Sequence, residues 1–432
     1  MKLLAVEDAR GRMLAEIAPL PAETLPLSKA IGRVLAEDVS AIRDQPPFDA
    51  SAMDGWAVRS GDTPGTLRII GESAAGHGYA GGLGKGEAVR IFTGAAVPAG
   101  ADAIVIQEDA QRDGEAVTTP QTRAGQHLRP RGGDFKSDQV LLNAGQRIDP
   151  WRLSLAASVG RAEVSVHRAP KVAIISTGEE IIEAPGVPGP FQIYDSGAPA
   201  LLAMVRAWGA EAEKLKPVRD DLDAVIAALR DAKADLIVTV GGASVGDHDL
   251  VRAAGEALGL SMKVASVAVR PGKPTFFGVL ADGRRMLGLP GNPASAFVCA
   301  ELFLRPIRAA YQGAPAPFAT ITARATTPLA ANGPREHWMR AKLTHLDGAI
   351  NVQPYGDQDS SLVTVFAAAD ALLRRPPGAP AVEPAARPAA PGRPAGPHRT
   401  PWMAGPRAGR PGRWSGHGWR WLRRSRDRGL WR

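Results

Sequence analysis

Between residues 169 and 317, short β-branched runs alternate with stretches whose apolar positions recur at helical spacing. KVAIIS at 171–176 is apolar at almost every position and reads as a strand buried on both faces. Beyond it, Ser196 is placed to cap a helix that runs through Trp208 and is closed by Gly209. Asp221 then opens LDAVIAALRDA, DLIVTV at 235–240 is a second buried strand, residues 249–258 form a helix and residues 263–269 a third strand. Two shorter strands, near 275–279 and 285–289, precede a helix beginning at Pro293. Such alternation predicts a doubly wound α/β domain with a largely parallel sheet. Ligands in these sheets bind at loops leaving the carboxyl ends of strands.

The texture changes on either side. Residues 41–138 carry many glycines and short alternating runs such as AVRIF and AIVIQ, which predicts a mostly β domain. Residues 318–383 contain ITARATTPL, HWMRAKL and GAINVQPY, spaced like the strands of a small barrel or sheet. From about residue 384 onward Pro, Gly, Arg and Trp dominate without periodicity.

Composition alters this picture in one place. The chain has 432 residues, which implies several domains, and a formal net charge of +8. Residues 385–432 hold twelve Arg and one acid; subtracting them from the totals of 52 basic and 44 acidic residues leaves 40 against 43. The body is thus mildly acidic, and the high overall pI does not argue that it binds nucleic acid. The tail also holds five Trp and no Lys, the mixture that GC-rich DNA encodes when read in a wrong frame. We read it as a frameshifted or disordered end; an Arg/Trp tail that binds nucleic acid or an anionic membrane is the alternative. No apolar run approaches the ~20 residues of a membrane helix, and the first apolar patch, at residues 3–6, is short of a secretory h-region of about 7 to 15. A cytoplasmic location is expected. Cys299 is the sole cysteine, so neither an intrachain disulfide nor a thiolate cluster can form, and its setting, AFVCAELFL, suits buried packing.

Several loops could carry chemistry. In STGEE, at 176–180, a strand opens into a turn bearing two acids; in GGASVGDHD, at 241–249, another opens into a longer glycine loop. Glycines let backbone N–H groups approach a phosphate or planar ring, and the acids suit a divalent cation; tight turns with capping acids are the plainer account. Neither loop fits the P-loop or dinucleotide fingerprint. In LPGNPAS, Asn292 is placed to cap and Pro293 to occupy the first helical position, leaving N–H groups for an anion. VRPGKP presents Arg270 and Lys273 on a stiff loop suited to phosphate or another oxyanion, or simply solvated. Upstream, PFDASAMDGWA, RIFTG and RPRGGD supply further acids, a hydroxyl and guanidiniums.

Taken together, SAMDGWAV, IFTGAAVP with GADAIV, RPRGGDF, STGEE, YDSGAPAL, GGASVGDHD, RPGKP and LPGNPASA stand in the order and spacing of the molybdopterin molybdotransferases, which the chain resembles over residues 5–383. The resemblance implies an elongated four-domain subunit of α/β and β domains. These are a linking domain (22–40 and 139–168), a β-rich domain (41–138), an α/β molybdopterin-binding domain (1–21 and 169–317) and a small C-terminal β domain (318–383), incomplete at its end. It also implies a homodimer whose active sites are shared between subunits. The implied substrates are adenylyl-molybdopterin and molybdate, with Mg2+ as cofactor, AMP released and the upstream adenylyltransferase a candidate partner. Positions matching the family's catalytic residues are Asp54, Thr93, Asp134, Glu180 and Asp249, with Glu180 and Asp249 toward the cation. Substrate-binding matches are Arg129, Asp220, Gly241, Gly242, Ser244, Arg270, Lys273, Pro290 and Pro293. A position often basic in the family is Ser266 here, and the glycine and closing apolar strand expected after residue 383 are replaced by the Arg/Trp tail. The adenylyltransferase itself, or a non-catalytic scaffold with the same fold, are the competing functions; the long β-rich N-terminal half argues against the first, and no receptor-binding feature supports the second.

Overall fold

The computed structural model describes residues 3–242, 250–315, 320–346 and 348–384. The tail, together with Ser244 and Asp249, lies outside the described residues. Two compact units emerge, one made of the chain up to residue 18 with 169–311 and 315 onward, the other of residues 19–168 with 312–314.

The first unit is built on a six-stranded sheet in the order Glu211–Lys214, Lys171–Ser176, Leu236–Val240, Arg285–Leu289, Phe276–Val279, Ser261–Val264. Its first four strands are parallel, and Phe276–Val279 runs antiparallel to both of its neighbours. Ala173, Ile175 and Ile237 point toward the helices Leu222–Asp231 and Leu250–Ala257, meeting Val225, Leu229, Val251 and Ala254 in a fully buried cluster. Strand alternation turns Val172 and Ile174 to the opposite face, where the helix Gly197–Ala207 packs on the sheet. Burial on both faces is why these strands read as continuous apolar runs, each large side chain contributing about 1.5–3 kcal/mol.

Register sets up the functional end. Ser176 pairs with Val240 and Val240 with Leu289, so three parallel strands finish level and their exit loops lie side by side. Asp221 caps its helix as expected, accepting from the Ala224 N–H at 2.8 Å. Ser196 does not cap: its backbone is helical where a capping residue is extended, and Asp195, one residue earlier, accepts from the Ala198 N–H at 3.0 Å. Residues 263–269 are not one strand. Ser261–Val264 ends in the α/β sheet, and Val269–Arg270 begins a different, five-stranded sheet with Glu336–Leu346, Ala349–Pro354, Arg324–Ala325 and Ala371–Arg375. This second sheet is the small C-terminal β domain, and the mutual hydrogen bonds of Leu329 and Val382, both 2.8 Å, tie down its last described residues.

The other unit carries a second six-stranded sheet in the order Ala103–Ile106, Gly55–Val58, Glu87–Ile91, Gly65–Ser73, Ala116–Thr119, Gln111–Asp113. Trp56, Val58, Leu67, Ala88, Val105 and Val117 fill one face of it. Beside it, Ala22–Pro26 pairs with Glu163–His167, and the helix Pro150–Ser158, capped by Asp149, covers a separate cluster around Leu35, Ile148 and Val166.

Candidate functional site

Residues of the α/β unit converge at the carboxyl ends of its parallel strands. Thr177 follows Ser176 and donates its N–H to Val240 O, while Gly241 donates to Leu289 O, which seams the three exits together. Gly178, at φ +135°, turns the first loop so that Glu179 and Glu180 stand in solvent. Asp220 lies beside this turn, because Gly178 donates its N–H to Val218 O. Gly241 and Gly242 hold φ of +95° and +59°, in the left-handed region that glycine alone adopts freely. A Cβ on Gly241 would stand 2.6 Å from Thr177 O, and one on Gly242 would run into Val251. Thr177 Oγ1 is buried there with no hydrogen-bond partner. Pro290 is buried and ends the third strand, and Gly291 abuts Gly241.

At the helix Pro293–Cys299, Asn292 occupies the cap position without capping. Its amide donates instead to Ser360 Oγ at 2.8 Å, and the Ala294 N–H donates to Ser360 O at 3.0 Å. Pro293 has no N–H, so this helix start is largely satisfied from the C-terminal sheet's own chain and is not the open anion seat that the sequence suggests.

The RPGKP loop packs on the same helix. Gly272, at φ +121°, leaves no room for a side chain against Cys299 Sγ, and Thr275 Oγ1 donates to both Gly272 O and that sulfur. Cys299 is fully buried and its thiol is pushed up to about 12 by desolvation, which leaves it inert as expected. Arg270 and Lys273 both face solvent from this braced loop.

In the β-rich unit, Asp54 Oδ1 accepts from both the Thr93 N–H and the Thr93 hydroxyl, each at 2.7 Å. Those two bonds, backbone first, hold the Asp54 carboxyl below its usual range, with Arg90 adding to the effect. Ala50–Ser51 pairs with Leu128–Arg129 and bonds to Ala95 and Gly94, so Asp54, Thr93 and exposed Arg129 share one neighbourhood. Asp134 is exposed on the neighbouring turn, its N–H bonded to Gln45 O, and Arg131 of that turn is fixed by Asp44 and Asp49.

Two residues escaped the sequence reading. Asp195 has a nearly buried carboxylate, 5% exposed, which accepts from Ser176 Oγ and Ala198 N and faces Lys214. Its signal was available, since it stands three residues before Ala198 in YDSGA. Ser360, which closes on Asn292, gave none, because it lies 68 residues away.

Among the described residues no group of three or more His, Cys, Asp or Glu is placed to hold a metal ion. Also among them, no helix is long and apolar enough to cross a membrane.

Comparison with known proteins agrees along the chain. Residues 4–160 match the family described as the MoeA N-terminal region (domain I and II), 173–309 the probable molybdopterin binding domain, and 322–385 the MoeA C-terminal region (domain IV). The chain is similar to a molybdopterin molybdenumtransferase of Staphylococcus aureus, 34% identical over 387 residues that span 87% of this chain and 92% of that one. A protein of the same description from Haemophilus influenzae is 35% identical, over 86% and 94%. The solved structure of a molybdopterin biosynthesis MoeA protein from Pyrococcus horikoshii superposes with a TM-score of 0.76 at 32% identity, covering 89% of this chain and 97% of that one.

Proposed function

The chain belongs to the MoeA family of molybdopterin molybdotransferases, and we propose that it inserts molybdenum from molybdate into adenylyl-molybdopterin, releasing AMP. It is an enzyme of molybdenum cofactor biosynthesis. The observation that carries the reading is the level ending of three parallel strands, whose exits lie side by side with glycines at Gly241, Gly242 and Gly291. Without a Cβ, Gly241 and Gly242 let this exit pack tightly over Thr177 and Val251, and a pterin or nucleotide lies against the backbone so placed. Arg270 and Lys273, on a loop whose shape is fixed by Gly272, Thr275 and Cys299, receive oxyanions. Pro290 and Pro293 hold the shape of the neighbouring turn.

Mg2+ usually takes one or two carboxylates and completes its shell with waters and substrate phosphates, so exposed Glu180, beside the glycine loop, fits as one protein ligand, with Asp249 as the other. The ion would polarise the phosphoanhydride when bound. Asp54, with one oxygen committed to Thr93 and ionised at neutral pH, offers the other as a fixed acceptor; we assign it, with Thr93, Arg129 and Asp134, to the site of a partner subunit in a homodimer. Ser244 and Asp220 complete the substrate-binding set.

Molybdate-dependent AMP release from adenylyl-molybdopterin tests the activity. Asp54→Asn should abolish it while circular dichroism and oligomeric state stay unchanged. Full turnover by that variant would remove Asp54 from the chemistry, and MgATP consumption in place of AMP release would favour the adenylyltransferase.

A further inference from the structure

The C-terminal sheet holds an unusual concentration of positive charge around one histidine. His337 is 8% exposed and its Nε2 is buried without a hydrogen-bond partner. It sits in the central strand of the three that meet there, directly opposite Arg270 on one side and Arg375 on the other. Residues in register on adjacent strands present side chains to the same face, so the exposed Arg270 of the RPGKP loop and His337 are neighbours. Behind them lies Arg340, wholly buried, whose Nε and Nη1 also lack partners.

The charges facing His337 from each surrounding element are all positive. Arg270 comes from Val269–Arg270, Arg375 from Ala371–Arg375, and Arg335 and Arg340 from its own strand and approach. Glu336 is committed elsewhere, accepting from Trp338 Nε1 and Arg374 Nη2, both at 2.8 Å. Asp357 and Asp359 act on Arg340, and the helix Val363–Ala368, which packs on the same strand, has no titratable residue. Burial first, and then Arg270, push the ring down to about 4, so it is neutral at physiological pH.

A neutral imidazole with an idle nitrogen, ringed by guanidiniums and reached through a solvent-facing arginine, is poised for a negative charge to arrive. We propose that His337 is a positioning residue for oxyanion binding: a tetrahedral dianion seated on Arg270 and Lys273 is received together with one proton, taken from solvent by the His337 ring. The dianion cancels the field of Arg270, the protonated ring becomes a donor on both nitrogens, and the added positive charge stays as long as the anion does. This rests on the assignment of Arg270 and Lys273 to anion binding. Molybdate and the phosphate of the nucleotide share the required chemistry.

Sulfate is the probe, since it keeps two negative charges throughout the range. Binding to the full chain is measured by calorimetry at pH 5, between the free-state value and the ordinary one, in two buffers of different ionisation enthalpy, then from pH 7.5 to 4. The wild type should take up protons on binding, and its affinity should rise by up to about tenfold per pH unit as pH falls, levelling near the free-state value. His337→Gln should still bind with no uptake and a flatter profile, with His337→Asn as a second variant if the first folds poorly. Competition by molybdate or by AMP identifies the natural occupant. Sulfate binding by the wild type without proton uptake, or equal uptake by both His337 variants, overturns the proposal and leaves the enzyme assignment standing. Absence of sulfate binding also overturns it; molybdenum insertion falls as well only if molybdate-dependent AMP release is missing too.

Discussion

Replacing Gly241 by Ala probes the closest backbone approach at the candidate site. The residue holds φ +95°, and a new Cβ would stand 2.6 Å from the carbonyl oxygen of Thr177, a backbone atom that cannot rotate aside. Placing an L-residue in left-handed territory costs about 1–2 kcal/mol, and relieving a contact this short by moving a packed strand end adds about 1–3 kcal/mol. The sum, about 2–5 kcal/mol, is a large part of the ~5–15 kcal/mol that holds a typical domain together. Gly283→Ala in the same unit is the internal control, because φ is +86° there and nothing stands within 4 Å of the added atom. Its cost should be the backbone part alone. Urea unfolding followed by tryptophan fluorescence, with m near 3 kcal/mol/M, should move the unit's midpoint by about 1 M for Gly241→Ala and by half of that or less for the control. Equal midpoints for the two variants would refute the reasoning, since they would mean that the Thr177 carbonyl does not crowd Gly241.

Other expectations are more local. Thr93→Val removes the side-chain bond to Asp54 but keeps the backbone one, so the Asp54 carboxyl should rise part of the way toward its ordinary value, as followed by carbon-13 NMR; an unmoved titration would show that the hydroxyl bond is not formed. Because the folded carboxyl is held low, its contribution to stability is present above the unfolded value of ~3.9 and disappears as pH falls through the folded one, so Thr93→Val should flatten the acid limb of the stability profile. The Cys299 thiol, pushed up to about 12, should react with a disulfide reagent only as fast as its unit unfolds; prompt labelling of the native protein would contradict its burial. Chelation by EDTA should stop AMP release and added Mg2+ restore it, whereas unchanged turnover would remove the metal from the reaction.

Much of this was legible in one dimension. Where strands are buried on both faces, as at KVAIIS and LIVTV, the apolar run is the strand, because a polar side chain would have no water on either side. Asp221 was readable as a cap for a similar reason, since its hydrogen bond spans only three residues. Family membership was readable too, because glycines at φ values other residues resist, and prolines and acids at strand exits, must recur wherever the same backbone is needed. What the chain alone left undecided was everything set by distant partners. Whether Ser196 or Asp195 caps depends on one backbone dihedral, and whether residues 263–269 stay in one sheet depends on pairing with Glu336–Leu346, some 70 positions on. The helix start at Pro293 looked open in sequence, but Ser360 closes it in space. His337 drew no notice in HWMRAKL, for its neighbours Arg270 and Arg375 reach it only through the sheet. Local hydrogen bonds and burial patterns are written in nearby residues; electrostatic surroundings are sums over whatever the fold brings near, and those only the tertiary structure could decide.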